Sequence, residues 1–254
     1  MRVALISDIH GNLPALEAVL AEIDTLDGVT ATYHLGDLVG YAPWPNEVVA
    51  ILAERGIAGI GGNYDSTVAT RYAHCGCRYE NPRQKELAHL SYSWTLDHVT
   101  ESTRRVLGAL PFRLDVMPQG GHAGGRRAIL VHGTPTLNTL YWTEDRPDDF
   151  CRKMIAQAGA RAGDLIAFGH THKPWHRVVD GVHLVNTGSV GRPKDHDPRA
   201  GYVVVDYTGE ELVVQFNRVG YDVARAAAAI RASTLPDEFA FYLESGGARL
   251  GPET

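Results

Sequence analysis

Five apolar runs of the sequence each end in a short turn that combines glycine with aspartate, asparagine or histidine. The turns are SDIHGN (7–12), LGDLVG (35–40), GGNYD (61–65), VHGTP (131–135) and FGHTHKP (168–174). Short apolar runs bounded by turns are typical of strands buried on both faces, and helical periodicity lies between several of them. The alternation predicts a layered α/β domain with a largely parallel sheet.

The same periodicities place elements along the rest of the chain. Helices are predicted at 12–26, 43–56, 147–159, 222–233 and 236–245, and 82–110 is predicted to be two helices that meet near 97–100. Strands are predicted at 2–7, 31–38, 57–62, 112–117, 126–133 and 164–170, with a Gly-rich turn at 118–125 and hairpins at 177–189 and 201–219. We expect a single domain over 1–254, with a helical cap inserted at about 66–126.

The polar residues of the five turns form one candidate site, because ligands of open α/β sheets bind outside the carboxyl ends of the strands. The candidate ligands are Asp8, His10, Asp37, Asn63, His132, His170 and His172. Each turn alone also has a structural explanation, such as a capped helix or a bend. Five such turns in succession indicate that their side chains share one site. Two metal ions about 4 Å apart, with one carboxylate bridging them, would use all seven ligands.

The donor set narrows the choice of metal. Imidazole and carboxylate together suit manganese, iron, nickel, cobalt or zinc better than magnesium or calcium. The segment HCGC (74–77) resembles half of a zinc site, but no second pair with finger-like spacing follows, so an ordinary loop is favoured. An odd count of three cysteines without an export signal predicts reduced thiols.

Charge and hydropathy exclude several classes of partner. The 254 residues carry a net charge of −6 and no basic tract that would follow a nucleic-acid backbone. The segment MRVALIS (1–7) is too short for a signal peptide, and no apolar stretch approaches about 18 residues. We expect a cytoplasmic protein with no membrane partner and no strong nucleic-acid binding.

Taken together, the turns resemble a known family. DIHGN, GDLVGYAP, GNYD, HGTP and GHTHKP are similar to the motifs of the calcineurin-like metallophosphoesterase superfamily, and VNTGSVGRP (185–193) resembles its compact prokaryotic phosphodiesterase-like branch. The resemblance implies an α/β fold, a four-layer α/β/β/α sandwich with two divalent or trivalent ions at one edge, manganese or iron being favoured. It implies that Asp8, His10 and His172 hold one ion, that Asn63, His132 and His170 hold the other, and that Asp37 bridges them.

The sequence departs from the family pattern at Tyr64, where the family has a histidine credited with assisting the leaving group. Free tyrosine has a pKa near 10 and is a poorer match for acid–base chemistry at neutral pH. We therefore expect good leaving groups, such as those of aryl diesters or a strained cyclic phosphate, to be favoured. A loop histidine, His74, His122 or His196, is the alternative acid.

Three further side chains are candidates for catalysis or substrate binding. Asp65 is expected either to orient a neighbouring catalytic group or to cap a helix. Arg192 is expected either to bind a phosphate oxygen bidentately or to lie on the surface. Asn63 is a neutral oxygen ligand whose amide nitrogen could also orient the substrate.

These interpretations predict an enzyme that uses two metal ions to hydrolyse phosphoesters. The favoured function is a phosphodiesterase acting on small or nucleotide-like phosphoesters, with in-line attack by a metal-bound hydroxide. A phosphomonoesterase or a dinucleoside-polyphosphate hydrolase is the alternative, and a scaffold without activity is disfavoured because all seven candidate ligands are present. The physiological substrate, the native metal and the oligomeric state stay open.

Overall fold

A computed structural model describes residues 1–77, 79, 81–117, 126–207 and 211–247. The strands are β1 (Arg2–Ile6), β2 (Val29–His34), β3 (Ala58–Gly59), β4 (Arg113–Val116), β5 (Ala128–Val131), β6 (Leu165–Phe168), β7 (Trp175–Val179), β8 (Val182–Asn186), β9 (Ala200–Asp206) and β10 (Val213–Val219). The helices are α1 (Leu13–Ile23), α2 (Pro45–Glu54), α3 (Asn63–Thr70), α4 (Pro82–His98), α5 (Glu101–Ala109), α6 (Asp148–Ala158), α7 (Val223–Ala232) and α8 (Glu238–Ser245).

The strands form two mixed sheets. The first has the order β10-β9-β1-β2-β3 and the second the order β4-β5-β6-β8-β7. In the first sheet β1–β2 and β2–β3 are parallel, whereas β1–β9 and β9–β10 are antiparallel. In the second sheet β5–β6 and β6–β8 are parallel, whereas β4–β5 and β7–β8 are antiparallel. The prediction of a largely parallel sheet is therefore wrong in this respect, because β4–β5 and the hairpins β7–β8 and β9–β10 all pair antiparallel.

Apolar packing arranges these elements in four layers. Leu5 of β1 and Leu130 of β5 belong to the core between the two sheets. Leu16 of α1 packs on the outer face of the first sheet, and Met154 of α6 packs on the outer face of the second. Burying each such side chain contributes about 1.5–3 kcal/mol to the free energy of unfolding. The predicted four-layer α/β/β/α sandwich is confirmed.

The observed strands and helices differ from the predicted ones mainly next to the turns that carry the candidate metal ligands. β2 ends at His34, four residues before its predicted end, and β3 comprises only two residues. The helix α3, which starts at Asn63, was not predicted because GGNYD lacks an apolar stripe of helical period. The predicted break between two helices within 82–110 is confirmed by α4 and α5. The predicted Asp-Gly turn of the β7–β8 hairpin is also confirmed, with φ of +50° at Asp180 and +76° at Gly181.

The helices α3, α4 and α5 lie between β3 and β4 in the chain; α4 and α5 fall within the range predicted for the cap, whereas α3 begins three residues before it, at Asn63. That the chain is one domain with an insert at 66–126 stays a prediction, and the predicted turn at 118–125, with His122, lies outside the described residues. Among the described residues, none of the helices has the length and apolarity needed to cross a membrane.

The cysteines depart from expectation. Cys75 and Cys77 form a disulfide with their Cα atoms 5.4 Å apart, whereas Cys151 is buried and free. The expectation of reduced thiols is therefore wrong for the first two. Gly76 lies between them with a φ of +73°, a backbone conformation that glycine adopts readily, and this turn lets the two side chains meet.

Candidate metal centre

The predicted ligands converge at one edge of the sandwich, beyond the carboxyl ends of β1, β2, β3, β5 and β6. Two groups of three have ligand atoms that all lie within 4.8 Å of one another: Asp8, His10 and His172, called here the first triad, and Asp37, His132 and His170, called the second triad. Asn63 joins the second triad, since its Oδ1 lies 3.1 Å from His132 Nε2. All seven side chains are buried. The structure therefore brings together every ligand that the sequence predicts.

Asp37 lies between the two triads. Its Oδ2 is 3.7 Å from His10 Nε2 and 3.4 Å from His132 Nε2. The other carboxylate oxygen, Oδ1, accepts a hydrogen bond of 2.9 Å from the backbone N–H of Tyr64 at the start of α3. This bond leaves Oδ2 facing both groups of ligands, which is the placement expected of a bridging carboxylate.

Hydrogen bonds to backbone carbonyls fix the tautomers of the first triad. His10 Nδ1 donates to the Val39 carbonyl oxygen at 3.0 Å. His172 Nδ1 donates to the Arg192 carbonyl oxygen at 2.5 Å. With the protons on Nδ1, the two Nε2 atoms carry lone pairs, and they face each other at 3.2 Å. Asp8 Oδ1 is buried without a partner and lies 3.3 Å from His172 Nε2.

Hydrogen bonds orient the second triad in a similar way. His132 Nδ1 donates to the Leu35 carbonyl oxygen at 2.8 Å, so its Nε2 is the nitrogen that faces Asp37 and Asn63. Asn63 Nδ2 donates to the Cys75 carbonyl oxygen at 2.9 Å and to Cys77 Sγ at 3.4 Å. Its Oδ1 therefore faces His132 Nε2 as an acceptor, and the amide nitrogen expected to orient substrate is already engaged.

His170 completes this set. Its ring has a hydrogen bond to the Thr139 backbone, and its Nε2 is buried without a partner. Buried acceptors that face one another without a donor are unfavourable unless a cation lies between them. The imidazole, carboxylate and amide donors of both triads fit divalent metal ions, and the histidines are oriented by the carbonyls as metal-bound histidines usually are.

Burial and neighbouring charges shift the pKa values of the two triads differently. Burial lowers the pKa of His10 and of His170 to about 3, so both imidazoles are neutral. Burial also raises the pKa of Asp8 to about 7, although the charge of His132 opposes it. The pKa of His132 is raised to about 10 despite its burial, because the Asp37 carboxylate favours the imidazolium, and the pKa of Asp37 is held below its usual range.

The backbone at the centre is strained. Five of the seven ligands adopt a positive φ: Asp8 at +52°, His10 at +50°, Asp37 at +53°, His170 at +65° and His172 at +61°. Residues other than glycine adopt this left-handed conformation at a cost of about 1–3 kcal/mol each. Such strain is concentrated at functional sites, and here all five of these residues belong to the two triads.

Glycines next to the ligands leave room for ligands from other turns. A Cβ atom on Gly169 would lie 2.3 Å from Asp8 Oδ2, and one on Gly62 would lie 2.1 Å from Asp37 Oδ1. Both distances are shorter than any contact that a real Cβ atom makes. The glycines of GHTH and GNYD are thus required by the neighbouring carboxylates.

Tyr64, the predicted acid, has its hydroxyl engaged by the helical cap. The hydroxyl donates a hydrogen bond of 3.0 Å to Ser91 Oγ on α4, and the ring lies edge-on to His10 at 5.6 Å between centroids. Burial raises the pKa of Tyr64 well above its ordinary value. Its catalytic role stays a prediction, and in this arrangement its proton is directed to Ser91.

Asp65 combines the two roles considered for it. Its carboxylate accepts hydrogen bonds of 2.9 Å from the backbone N–H of Gly62, at the start of α3, and from that of Leu38, next to Asp37. The side chain is fully buried and does not line the cavity described below. Asp65 therefore caps α3 and ties it to the turn that carries Asp37.

A cavity of about 1160 Å³ opens above both triads. The guanidinium group of Arg192 lies at its wall, 4.0 Å from the centre of the Tyr41 ring and 4.9 Å from that of Tyr242, and its Nε is buried without a partner. Arg192 is thus part of the cavity wall rather than a surface residue. Of the candidate loop histidines, His196 lines the cavity and His74 does not.

Sequence reasoning missed the aromatic residues of this wall. Tyr41, Tyr141 and Tyr242 line the cavity. Tyr41 directly follows the motif GDLVG, and its φ of +64° makes it part of the same strained turn. Only the segment 137–145, which follows a ligand turn, gave a signal that could have indicated Tyr141.

Comparisons with known proteins agree with this geometry. The family model for the calcineurin-like phosphoesterase superfamily domain matches residues 1–210. The chain is 29% identical over 252 residues to the uncharacterized protein MJ0912 of Methanocaldococcus jannaschii, covering 92% of this chain and 94% of that protein. It is similar to the crystal structure of a metallophosphoesterase from Sphaerobacter thermophilus, with a TM-score of 0.73, 28% identity and coverage of 97% and 99% of the two chains.

A second solved structure shows the same fold. The hypothetical protein PH1004 from Pyrococcus horikoshii OT3 has a TM-score of 0.79 and 24% identity, with coverage of 98% of this chain and 99% of that chain. The agreement extends over nearly the full length of both molecules.

Proposed function

The chain belongs to the calcineurin-like phosphoesterase superfamily, and from that premise we propose that it is a phosphodiesterase that hydrolyses small or nucleotide-like phosphoesters with two metal ions. The family implies a phosphoester hydrolase, and the two triads are candidate sites for divalent metals. The preference for diesters and the presence of two ions together are the proposal.

One observation carries it: two groups of three buried ligand side chains, the second joined by Asn63, converge on two points, and the Asp37 carboxylate lies between them. Two divalent cations held there would supply Lewis-acid activation of water and neutralise phosphoryl oxygens. Imidazole and carboxylate donors without a thiolate suit manganese, iron, nickel, cobalt or zinc, and among these manganese or iron is favoured by the family resemblance.

The chain's own residues explain the preference for a good leaving group. The hydroxyl of Tyr64 donates to Ser91, so it does not offer its proton to a leaving oxygen in this arrangement. Arg192 stands at the cavity wall beside the first triad, where its guanidinium group could bind a phosphoryl oxygen. Substrate would then be held by Arg192 and the metal ions, and leaving groups that need no acid would depart fastest.

Hydrolysis of dinucleoside polyphosphates is a second candidate function. The cavity of about 1160 Å³ is larger than those of most drug-sized ligands and has room for a nucleotide. Its wall also includes the cationic side chains of Arg146 and Lys173 in addition to Arg192. A substrate with several phosphate groups would use them.

A substrate panel under several metals tests the proposal. Bis(p-nitrophenyl) phosphate, p-nitrophenyl phosphate, a dinucleoside polyphosphate and a phosphoserine peptide are compared with manganese, iron, nickel, cobalt, zinc, magnesium and calcium. We expect about two metal ions per chain and the highest kcat/KM on the aryl diester with manganese or iron. Faster turnover of the peptide would contradict the diester preference, and less than one metal per chain without hydrolysis would favour a scaffold.

A further inference from the structure

Tyr141 lies against the second triad from the side of the cavity. Its ring packs on that of His170 with 4.2 Å between centroids and an angle of 45°. Both residues line the cavity together with Arg192. Tyr141 is therefore part of the wall of the cavity from which a phosphoester would reach the second triad.

Neighbouring residues fix the backbone of Tyr141. Trp142 is fully buried and its indole stacks on Phe168 of β6, with 4.6 Å between centroids and an angle of 6°. Arg146 Nη2 donates a hydrogen bond of 3.1 Å to the Tyr141 carbonyl oxygen. With the next side chain anchored in the core, that of Tyr141 is held on the cavity side without being part of the core itself.

The Tyr141 hydroxyl makes no hydrogen bond with any residue in the described part of the chain, in contrast to the Tyr64 hydroxyl, which donates to Ser91. A tyrosine hydroxyl has an ordinary pKa near 10, so it is a protonated donor at neutral pH. The Tyr141 side chain therefore brings an unengaged donor to the wall of the cavity.

We propose that the Tyr141 hydroxyl donates a hydrogen bond to a phosphoryl oxygen of the bound phosphoester beside the second triad, opposite Arg192. The inference rests on the proposed function and adds a substrate-binding residue to it. A phosphoryl oxygen is a strong hydrogen-bond acceptor. A neutral hydroxyl that is already oriented can donate a hydrogen bond to it without adding a charge to the site. Tyr141 and Arg192 would then hold the phosphoryl group from two sides of the cavity.

Tyr141→Phe tests this, because it removes the hydroxyl and keeps the ring against His170. Tyr72→Phe is the matched control, since Tyr72 is 55% exposed and does not line the cavity. Three quantities are measured on the manganese-loaded full chain: kcat and KM on bis(p-nitrophenyl) phosphate, the dissociation constant of inorganic phosphate by calorimetry, and the metal content. We expect Tyr141→Phe to lower kcat/KM by about 10-fold or more and to weaken phosphate binding, with metal content unchanged.

The outcomes separate this inference from the proposed function. If Tyr141→Phe leaves both the kinetics and phosphate binding as in Tyr72→Phe, the inference is overturned. Loss of metal from Tyr141→Phe would overturn it too, because the residue would then support His170 instead of the substrate. If the unmodified protein binds phosphate but hydrolyses no phosphoester, the proposed function fails, and weaker phosphate binding by Tyr141→Phe still supports the inference.

Discussion

The first and second triads offer metal ions similar donors, but the fold supports them differently. All three residues of the first triad, Asp8, His10 and His172, have a positive φ. In the second triad His132 follows directly from the regular strand β5, and the associated ligand Asn63 belongs to the first turn of α3. The first triad thus consists entirely of residues in strained turns, whereas the second combines two strained residues, Asp37 and His170, with ligands at the ends of regular elements.

The difference extends to charge. With its histidines neutral, the first triad has no cation to balance Asp8, and burial raises the pKa of that carboxyl instead. The second triad contains an ion pair between Asp37 and His132. A metal ion therefore supplies a missing positive charge at the first triad but must replace a proton at the second. The comparison indicates that the two ions bind with different responses to pH and to mutation.

The largest effect is expected at the residue that both triads share. Asp37→Ala should weaken binding of both ions and lower kcat by about 10³-fold or more, because Asp37 Oδ2 faces His10 and His132. Asp8→Ala should weaken only the ion of the first triad. Metal content and manganese titration calorimetry measure the difference.

Asp149→Asn is the control for both variants, since the Asp149 side chain is 95% exposed. The bridging arrangement is wrong if Asp37→Ala retains one tightly bound ion, as Asp8→Ala does.

An intermediate effect is expected from the two glycines that face the carboxylates. Gly169→Ala should displace Asp8 and weaken the first ion, and Gly62→Ala should displace Asp37 and weaken both ions. Each should lower the free energy of unfolding by about 1–3 kcal/mol through overpacking. Gly61→Ala is the matched control, because its Cβ atom would be 3.4 Å from Leu110 Cβ, an ordinary contact. Denaturant unfolding measures the free energy of unfolding of the three variants, and metal titration measures their affinities. Equal values for all three would show that the close approaches to the carboxylates are unimportant.

The smallest effect concerns pH. A metal ion at the second triad displaces the proton of His132, whose pKa is raised to about 10, so the apparent affinity of this ion should rise about tenfold per pH unit between pH 7 and 8.5. At the first triad the pKa of Asp8 is about 7 and His10 is already neutral, so the affinity should level off above pH 7. Manganese calorimetry in buffers of different ionisation enthalpy counts the protons released. Identical pH slopes for the two ions would remove the electrostatic distinction between the triads.

Much of the fold could be predicted because it follows from local patterns. Helices such as α1, with Asn12 accepting a hydrogen bond from the Ala15 backbone N–H, follow from periodicity and capping. The β7–β8 hairpin follows from Asp180-Gly181. By contrast, the shortened β2 and β3 and the helix α3 could not be predicted, because their limits are set by where the turns bearing Asp37 and Asn63 must leave the sheet.

The disulfide and the engaged Asn63 amide show a second limit. Asn63 and Cys75 are 12 positions apart, and no periodicity connects them, yet the Cys75 carbonyl fixes the orientation of the Asn63 side chain. Gly76, between the two cysteines, lies close to Thr139, which is far along the chain: a Cβ atom added to Gly76 would be 2.8 Å from Thr139 Cγ2.

What the sequence determined by itself is which seven side chains converge at the candidate metal centre. Each stands at the end of an apolar strand, and the carboxyl ends of parallel strands necessarily meet at one edge of their sheet. Only the tertiary structure decided the directions of the side chains around them: the Tyr64 hydroxyl toward Ser91, Arg192 between two tyrosines, and Tyr141 over His170. The physical reason is that ligand positions follow from strand ends, whereas hydroxyl and guanidinium partners follow from the packing of segments that are remote in the chain.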